Sequence, residues 1–397
     1  GAEALRHMMR YVAKRLLECQ QGAHLKGRIL PSKRRRALSQ KASRFLCIQM
    51  NAIGDAIMTQ PAWSHLSAAL PAASIDLLCR PHIAPLFRDD PAISCVVPCE
   101  SQRFRSWLFK NRSEVQSLVI HGNYDAVIDF TALPLTASVC AAKKAPPSVG
   151  FQRIVDTARG AIDLGLAYDR AFPYSEEAPI RQLMLQLISP WTRLYEKGSP
   201  PLLHLRDQAI KKAASTMRKR GCKGGDFVIL HPGGKWSPKR WPTCHWRDLL
   251  SILSRQLDMK AVVMGSTGDR DQVRAILDGH DHGNCDSLIS NDIEVSSAVM
   301  KAASLCVCND SAPMHMAAAV GTPSVSLFGP VQPRRSAPPN KEGCTVLYDA
   351  MFCSPCTLYY SRDRCRRGIN FCMHAIRPEM VCEAVEHSLR EQRGENR

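Results

Sequence analysis

From Phe45 onward, short apolar runs alternate with longer stretches in which apolar residues recur at three- and four-residue spacing. The short runs, 45–50, 75–79, 93–97 and 126–130, are predicted strands, and the stretches 56–70 and 102–118 are predicted helices. Strand, helix and strand in succession imply a parallel sheet covered by helices. Gly54 marks a tight strand-to-helix turn and Asp55 directly follows it. Residues 131–175 show no clear period and give no element.

Gly198, Ser199, Pro200 and Pro201 punctuate the chain, after which the alternation restarts. Strands are predicted at 227–231, 261–264, 305–308 and 324–328. Helices are predicted at 245–257, 269–278, 293–303 and from Ala312, with Gly321 and Pro323 as stop signals. The second half thus repeats the first, and a length of 397 residues suits two domains, each with its own core. The expected organisation is a basic extension over 1–44, a first doubly wound α/β domain over 45–200, a second over 201–345, and a Cys-rich tail with a C-terminal helix over 346–397. Two doubly wound α/β domains of this kind bind ligands at the carboxyl ends of their strands, and they are expected to face one another across a cleft.

Composition narrows the class. The chain is 45% hydrophobic with 53 Lys and Arg against 36 Asp and Glu, which excludes disorder, low complexity and collagen. Much of the formal charge of +17 sits in residues 1–44, where twelve Lys and Arg face only Glu3 and Glu18. There Leu5, Met8, Met9, Val12 and Leu16 recur at helical spacing, with Arg6, Arg10, Lys14 and Arg15 between them. Two readings stay open: a basic helix lying on an anionic membrane surface, or one packing its apolar stripe on the next domain. Tyr11 is the one Phe, Tyr or Trp among residues 1–44, too few for a base-stacking surface, so nucleic acid is not expected as a partner. The absence of a long apolar run predicts neither a transmembrane helix nor a secretory signal. Seventeen cysteines, an odd number, suit reduced thiols in a cytoplasmic protein.

Three segments carry candidate chemistry. Asn309-Asp310-Ser311-Ala312-Pro313-Met314-His315 joins a strand to a helix, and backbone N–H groups at a helix start attract anions. Ser311 and His315 add side-chain donors there, so a diphosphate is the natural guest; an ordinary capped helix with a packed histidine is the plainer alternative. His231-Pro232-Gly233-Gly234-Lys235-Trp236-Ser237-Pro238-Lys239-Arg240 follows a strand with glycines and then cations. Gly233 and Gly234 allow close backbone approach to a phosphate, which Lys239 or Lys235 can neutralise. Neither a Walker A loop nor a dinucleotide fingerprint occurs. Asp55 is a candidate general base, or else a helix-capping residue. Asp269-Arg270-Asp271 spells a D-x-D, read as acidic residues favouring a helix start, with Asp269 placed to reach a nucleotide ribose. Near the end, Cys353, Cys356, Cys365 and Cys372 give C-x2-C-x8-C-x6-C, a spacing that suits one structural metal, zinc or iron.

These motifs in this order resemble glycosyltransferase family 9, the ADP-heptose heptosyltransferases of the lipopolysaccharide inner core. The resemblance rests on IQMNAIGDAIMTQPA (48–62), YDAVIDF (124–130), ILHPGGKWSPKRWP (229–242), VVMGSTGDRDQ (262–272) and CVCNDSAPMHMAAAVGTPSVSLFGP (306–330). It implies a GT-B fold, an inverting mechanism without a catalytic metal, and ADP-heptose as donor. It further implies that Asp55 is the general base, that Gly233, Gly234 and Lys239 form the donor phosphate loop, and that Asp310, Ser311, Ala312 and His315 form the donor-binding helix start. The family usually has glycine where this chain has Ala312. A tail with four cysteines is similar to that of the family's protein-modifying branch, in which it holds iron. The acceptor is therefore either a lipid-linked glycan or a protein, another ADP-sugar stays open as donor, and a basic nucleic-acid-binding module with a four-cysteine metal site is the reading from another class.

Overall fold

The computed structural model describes residues 36–99, 111–142, 144–157, 160–193, 199–256, 260–280, 285–338, 343–356, 365 and 367–394. The helix read over residues 5–16 lies outside them. The chain divides into two compact units between Ser199 and Pro200.

The first unit contains β1 (Arg44–Gln49), α1 (Ile53–Ala69), β2 (Ser74–Cys79), β3 (Cys95–Pro98), α2 (Asn111–His121), β4 (Ala126–Asp129) and α3 (Pro134–Cys140). It continues with β5 (Ser148–Gln152), β6 (Ile154–Thr157), β7 (Gly160–Asp163), β8 (Arg170–Pro173) and α4 (Ile180–Ile188). Six strands form one sheet in the order β3-β2-β1-β4-β5-β8, and every neighbouring pair is parallel. Phe45, Leu46, Cys47 and Ile48 of β1 are all buried, because a central parallel strand is covered on both faces and so reads as an unbroken apolar run. Helix α1 begins at Ile53, three residues before the predicted start, so Gly54 and Asp55 lie in its first turn. Its Trp63 is fully buried, meets Phe87 edge to face at 5.1 Å, and donates its indole N–H to Asp90 Oδ2 at 3.0 Å.

The part of the predicted helix 102–118 that falls on 102–110 lies outside the described residues; the rest is α2, which runs on to His121. The stretch 131–175 holds α3, β5, the antiparallel hairpin of β6 with β7, and β8. These pieces are four to seven residues long, too short to display a period.

The second unit contains α5 (Asp207–Arg218), β9 (Phe227–His231), α6 (Thr243–Gln256), β10 (Lys260–Gly265), α7 (Arg270–Leu277), β11 (Cys285–Ile289) and α8 (Ile293–Ala302). It continues with β12 (Leu305–Asn309), α9 (Ala312–Val320), β13 (Ser324–Phe328), β14 (Cys344–Tyr348), α10 (Phe371–His374) and α11 (Pro378–Arg393). Its sheet has the order β11-β10-β9-β12-β13-β14, again wholly parallel. Both units are thus Rossmann-like, with the same strand order, as the repeated pattern implies. In each sheet the order reverses at the middle pair, β1 with β4 and β9 with β12, the position where such sheets bind ligands.

The C-terminal segment completes the second core. Cys372, Met373, Ile376, Val381, Val385 and Leu389 pack in the same cluster as Val228, Leu230 and Trp246. Trp241 meets Trp246 edge to face at 5.0 Å and donates its indole N–H to the Ile376 carbonyl at 2.8 Å. Among the described residues no helix is long and apolar enough to cross a membrane.

Candidate functional site

The predicted phosphate-binding segments leave the sheet side by side. Cys308 of β12 lies opposite His231 of β9, so the loops after His231 and Asn309 start as neighbours. Asn309, fully buried, ties them together. Its Nδ2 donates to the carbonyls of Pro232 at 2.8 Å and Gly233 at 3.2 Å, and its Oδ1 accepts the Trp241 N–H at 3.0 Å. One amide thereby fixes both ends of a loop whose backbone groups would otherwise be buried unpaired. Burial pushes the His231 imidazole down to about 4 against the opposing pull of the Asp269 carboxylate, so the ring at the head of this loop is neutral at pH 7.

Within this unit the candidate donor residues converge. Lys239 Nζ stands 2.7 Å from Asp310 Oδ2 and 5.1 Å from the centroid of the Trp236 ring, with both partners of the ion pair mostly buried. Asp310 directly precedes Ser311, the N-cap residue of α9, whose side chain makes no capping hydrogen bond and whose Oγ instead donates to the Asn309 carbonyl at 3.3 Å. Ala312 and Pro313 open the helix, and His315 is buried in its first turn. A Cβ built on Gly234 would lie 3.9 Å from Ser311 Cβ, so the glycine loop and the helix start adjoin. Arg240 clamps the same loop from outside, its Nε donating to the Gly234 carbonyl at 2.7 Å. Lys235 is exposed.

Asp269 has a structural task. Its Oδ2 accepts from the Ser266 N–H at 3.0 Å and Oγ at 2.7 Å, a capping box on the 3-10 turn Thr267–Asp269 that leads into α7, and its Oδ1 is 3.7 Å from Arg240. The carboxylate also lies directly over Gly233, where an added Cβ would stand 2.8 Å from Oδ2.

Asp55 belongs to the first unit, at the equivalent switch point. It is the third residue of α1, and its Oδ2 accepts the Ala52 N–H at 3.2 Å. The turn before it is braced throughout: Met50 N donates to Thr131 Oγ1 at 3.0 Å, Asn51 Nδ2 to the Thr131 carbonyl at 3.2 Å, and Thr59 Oγ1 to the Asp55 carbonyl at 2.7 Å. Arg80, at the end of β2, donates to the Met50 carbonyl at 2.5 Å. Burial lowers its guanidinium, while the nearby Asp55 charge acts in the opposite direction. Below the turn, burial raises the Asp129 carboxyl, which accepts the Tyr168 hydroxyl at 2.7 Å.

The four tail cysteines are within electrostatic reach of one another. Burial raises the Cys356 thiol, with Cys353 and Cys365 adding to the effect. Burial likewise pushes Cys372 up to about 11, with Cys356, Cys353 and Cys365 contributing. Among the described residues, however, no group of three or more His, Cys, Asp or Glu side chains is placed to hold a metal ion.

Sequence reasoning missed Asn309, Arg80 and Asn370 as parts of these sites. Asn309 stood inside a motif already singled out, and its position as the last residue of a fully buried strand was the available signal. Arg80 and Asn370 contact carbonyls 30 and about 130 residues away, and no local pattern marks them.

The model for glycosyltransferase family 9 (heptosyltransferase) matches residues 114–365 of this chain. Lipopolysaccharide heptosyltransferase 1 of Pseudomonas aeruginosa is 25% identical over 299 residues, covering 73% of this chain and 79% of that protein. The solved structure of the ADP-heptose lipopolysaccharide heptosyltransferase II of Escherichia coli superposes with a TM-score of 0.70 at 20% identity, covering 88% of this chain and 99% of the other. The iron-containing dodecameric glycosyltransferase TibC of enterotoxigenic Escherichia coli superposes with a TM-score of 0.53 at 12% identity, covering 88% of this chain and 77% of that one. Both superpositions share the GT-B fold, with its two Rossmann-like domains.

Proposed function

The chain belongs to glycosyltransferase family 9, and on that premise we propose that it transfers a heptose from ADP-heptose to a hydroxyl of the lipopolysaccharide inner core, with inversion. The observation that carries this reading is the junction of the Gly233-Gly234 loop, Lys239 and the start of α9 at the switch point of the second sheet. A diphosphate needs a close backbone approach, a cation and helix-start N–H groups, and all three meet there.

In this mechanism the Asp55 carboxylate takes the proton of the acceptor hydroxyl as its oxygen bonds to the anomeric carbon. The bond from that carbon to the phosphate oxygen breaks on the opposite face, and ADP leaves with the electron pair. A single displacement inverts the centre. Asp310 holds the Lys239 ammonium at the head of α9, and the charge gathering on the departing diphosphate competes for that cation. Such preorganised electrostatics supply several kcal/mol. Asp55 bonds through Oδ2 to the Ala52 N–H, which orients the carboxylate. No step uses a metal.

The Cys tail is read as structural. Four thiols are a suitable donor set for zinc or iron, yet the sulfurs as placed do not close on a common centre among the described residues, and no step of the transfer passes through them. Elemental analysis of the purified chain beside a Cys353→Ser variant tests whether the four thiols nevertheless hold a structural metal: a stoichiometric metal lost in the variant shows that they do, and its absence in both shows that they do not. The basic extension is assigned to the anionic inner leaflet, where lipid-linked acceptors lie. Co-sedimentation of the whole chain with anionic vesicles, lost when residues 1–35 are removed while activity on a soluble acceptor persists, is the expected result; equal sedimentation would overturn the assignment.

The mechanism is tested by Asp55→Ala. Turnover should fall by about 10²–10⁴-fold, the contribution of a positioned base, while donor affinity stays at the wild-type value. Near-normal turnover would remove Asp55 from the chemistry. A protein acceptor in place of the glycan would appear as transfer to protein with the same dependence on Asp55.

A further inference from the structure

The turn that bears Lys239 is weakly built from its own residues. Ser237–Lys239 is a single 3-10 turn with no buried residue, closed by Lys239 N–H to the Trp236 carbonyl and Arg240 N–H to the Ser237 carbonyl, each at 3.0 Å. A turn of this length has poor hydrogen-bond geometry and little intrinsic stability. The two carbonyls that flank Lys239 in the chain are both taken by one side chain. Asn370 Nδ2 donates to Pro238 O at 3.2 Å and to Arg240 O at 2.9 Å.

Asn370 is itself firmly seated. It is the N-cap residue of α10, and its carbonyl accepts the N–H groups of Met373 at 2.9 Å and His374 at 3.2 Å. The adjoining Cys372 and Met373 are buried against Gly329, where an added Cβ would stand 2.9 Å from Cys372 Sγ. A few residues on, Ile376 accepts the indole of Trp241, the residue that ends the Lys239 segment.

We infer that Asn370 is a positioning residue for donor binding, carrying the placement of the C-terminal Cys segment to the turn that aims Lys239 at Asp310 and the start of α9. The inference rests on the reading of this loop as the donor phosphate site. Its consequence is that the C-terminal segment, remote in sequence from every donor motif, sets the affinity of the donor loop through two hydrogen bonds.

The test is calorimetric titration of the full chain with ADP, for the wild type, Asn370→Ala, Lys239→Ala and the double variant. Loss of the two bonds should weaken ADP binding by about tenfold in Asn370→Ala. The double variant should bind no more weakly than Lys239→Ala alone, because Asn370 acts through Lys239. Wild-type affinity in Asn370→Ala, with Lys239→Ala weakened, overturns this inference and leaves the donor site standing. Wild-type affinity in Lys239→Ala overturns the donor-site reading itself. Losses that add in the double variant show that Asn370 does not act through Lys239 and also overturn the inference.

Asn370→Asp keeps the shape and covers the case in which Asn370→Ala does not fold. An ionised carboxylate offers only acceptors to two carbonyl oxygens, whereas the protonated form regains one donor. At pH 7 the ionised variant should therefore bind ADP at least as weakly as Asn370→Ala, about tenfold below wild type. Wild-type ADP affinity in Asn370→Asp contradicts the inference.

Discussion

A methyl group added at Gly233 would stand 2.8 Å from Oδ2 of Asp269, whereas one added at Gly234 would find nothing nearer than Arg240 Cγ at 3.8 Å. Neither position requires left-handed backbone, so the difference is one of space alone. Gly233→Ala must displace a carboxylate that caps the turn leading into α7 and faces Arg240, at the cost of about 1–3 kcal/mol typical of overpacking. Gly234→Ala should leave the unfolding midpoint in urea unchanged, and equal destabilisation of the two variants would contradict the packing argument. From sequence alone both glycines carry one phosphate-binding role, since two adjacent glycines after a strand look alike. Their separate surroundings come from Asp269, 36 positions along the chain. Asp269 itself fits the helix-start reading, and its hydrogen bonds to Ser266 supply the reason.

At the scale of elements, the strands and helices flanking the donor loops were legible because buried parallel strands are continuous apolar runs and helix starts carry caps and prolines. The edges were not. β11 has half-buried Asp286 and Ser287 within it, and β14 lies at the far edge with most of its residues only half-buried, so neither presents an apolar run. α5 buries only Ala209, Ala213 and Met217, a stripe too small in side-chain bulk to stand out. The tie between β9 and β12 was equally silent, because Asn309 acts on residues about 70 positions away. Asn309→Ala leaves the Trp241 N–H and the Pro232 carbonyl buried without a partner, which should cost about 2–4 kcal/mol. Denaturant unfolding and ADP titration should therefore both register the change. Loss of stability with full ADP affinity would show that the loop does not depend on this tie for donor binding.

The whole molecule is two Rossmann-like domains of one strand order, and the family resemblance read from five motifs agrees with the family match over residues 114–365. Its proposed chemistry divides between the domains, with Asp55 on the first and the donor residues on the second. The C-terminal segment, separate in the sequence pattern, packs in the second domain's core and reaches the Lys239 turn through Asn370. The central claim is that the second domain's switch point is an ADP-heptose site. Calorimetric titration of the wild type and Lys239→Ala with ADP-heptose, ADP-glucose and a UDP-sugar tests it most directly. The expected result is selective binding of ADP-heptose that weakens at least tenfold in the variant, about 1.4 kcal/mol. Preference for the UDP-sugar, or ADP-heptose affinity unchanged by loss of Lys239, would contradict it.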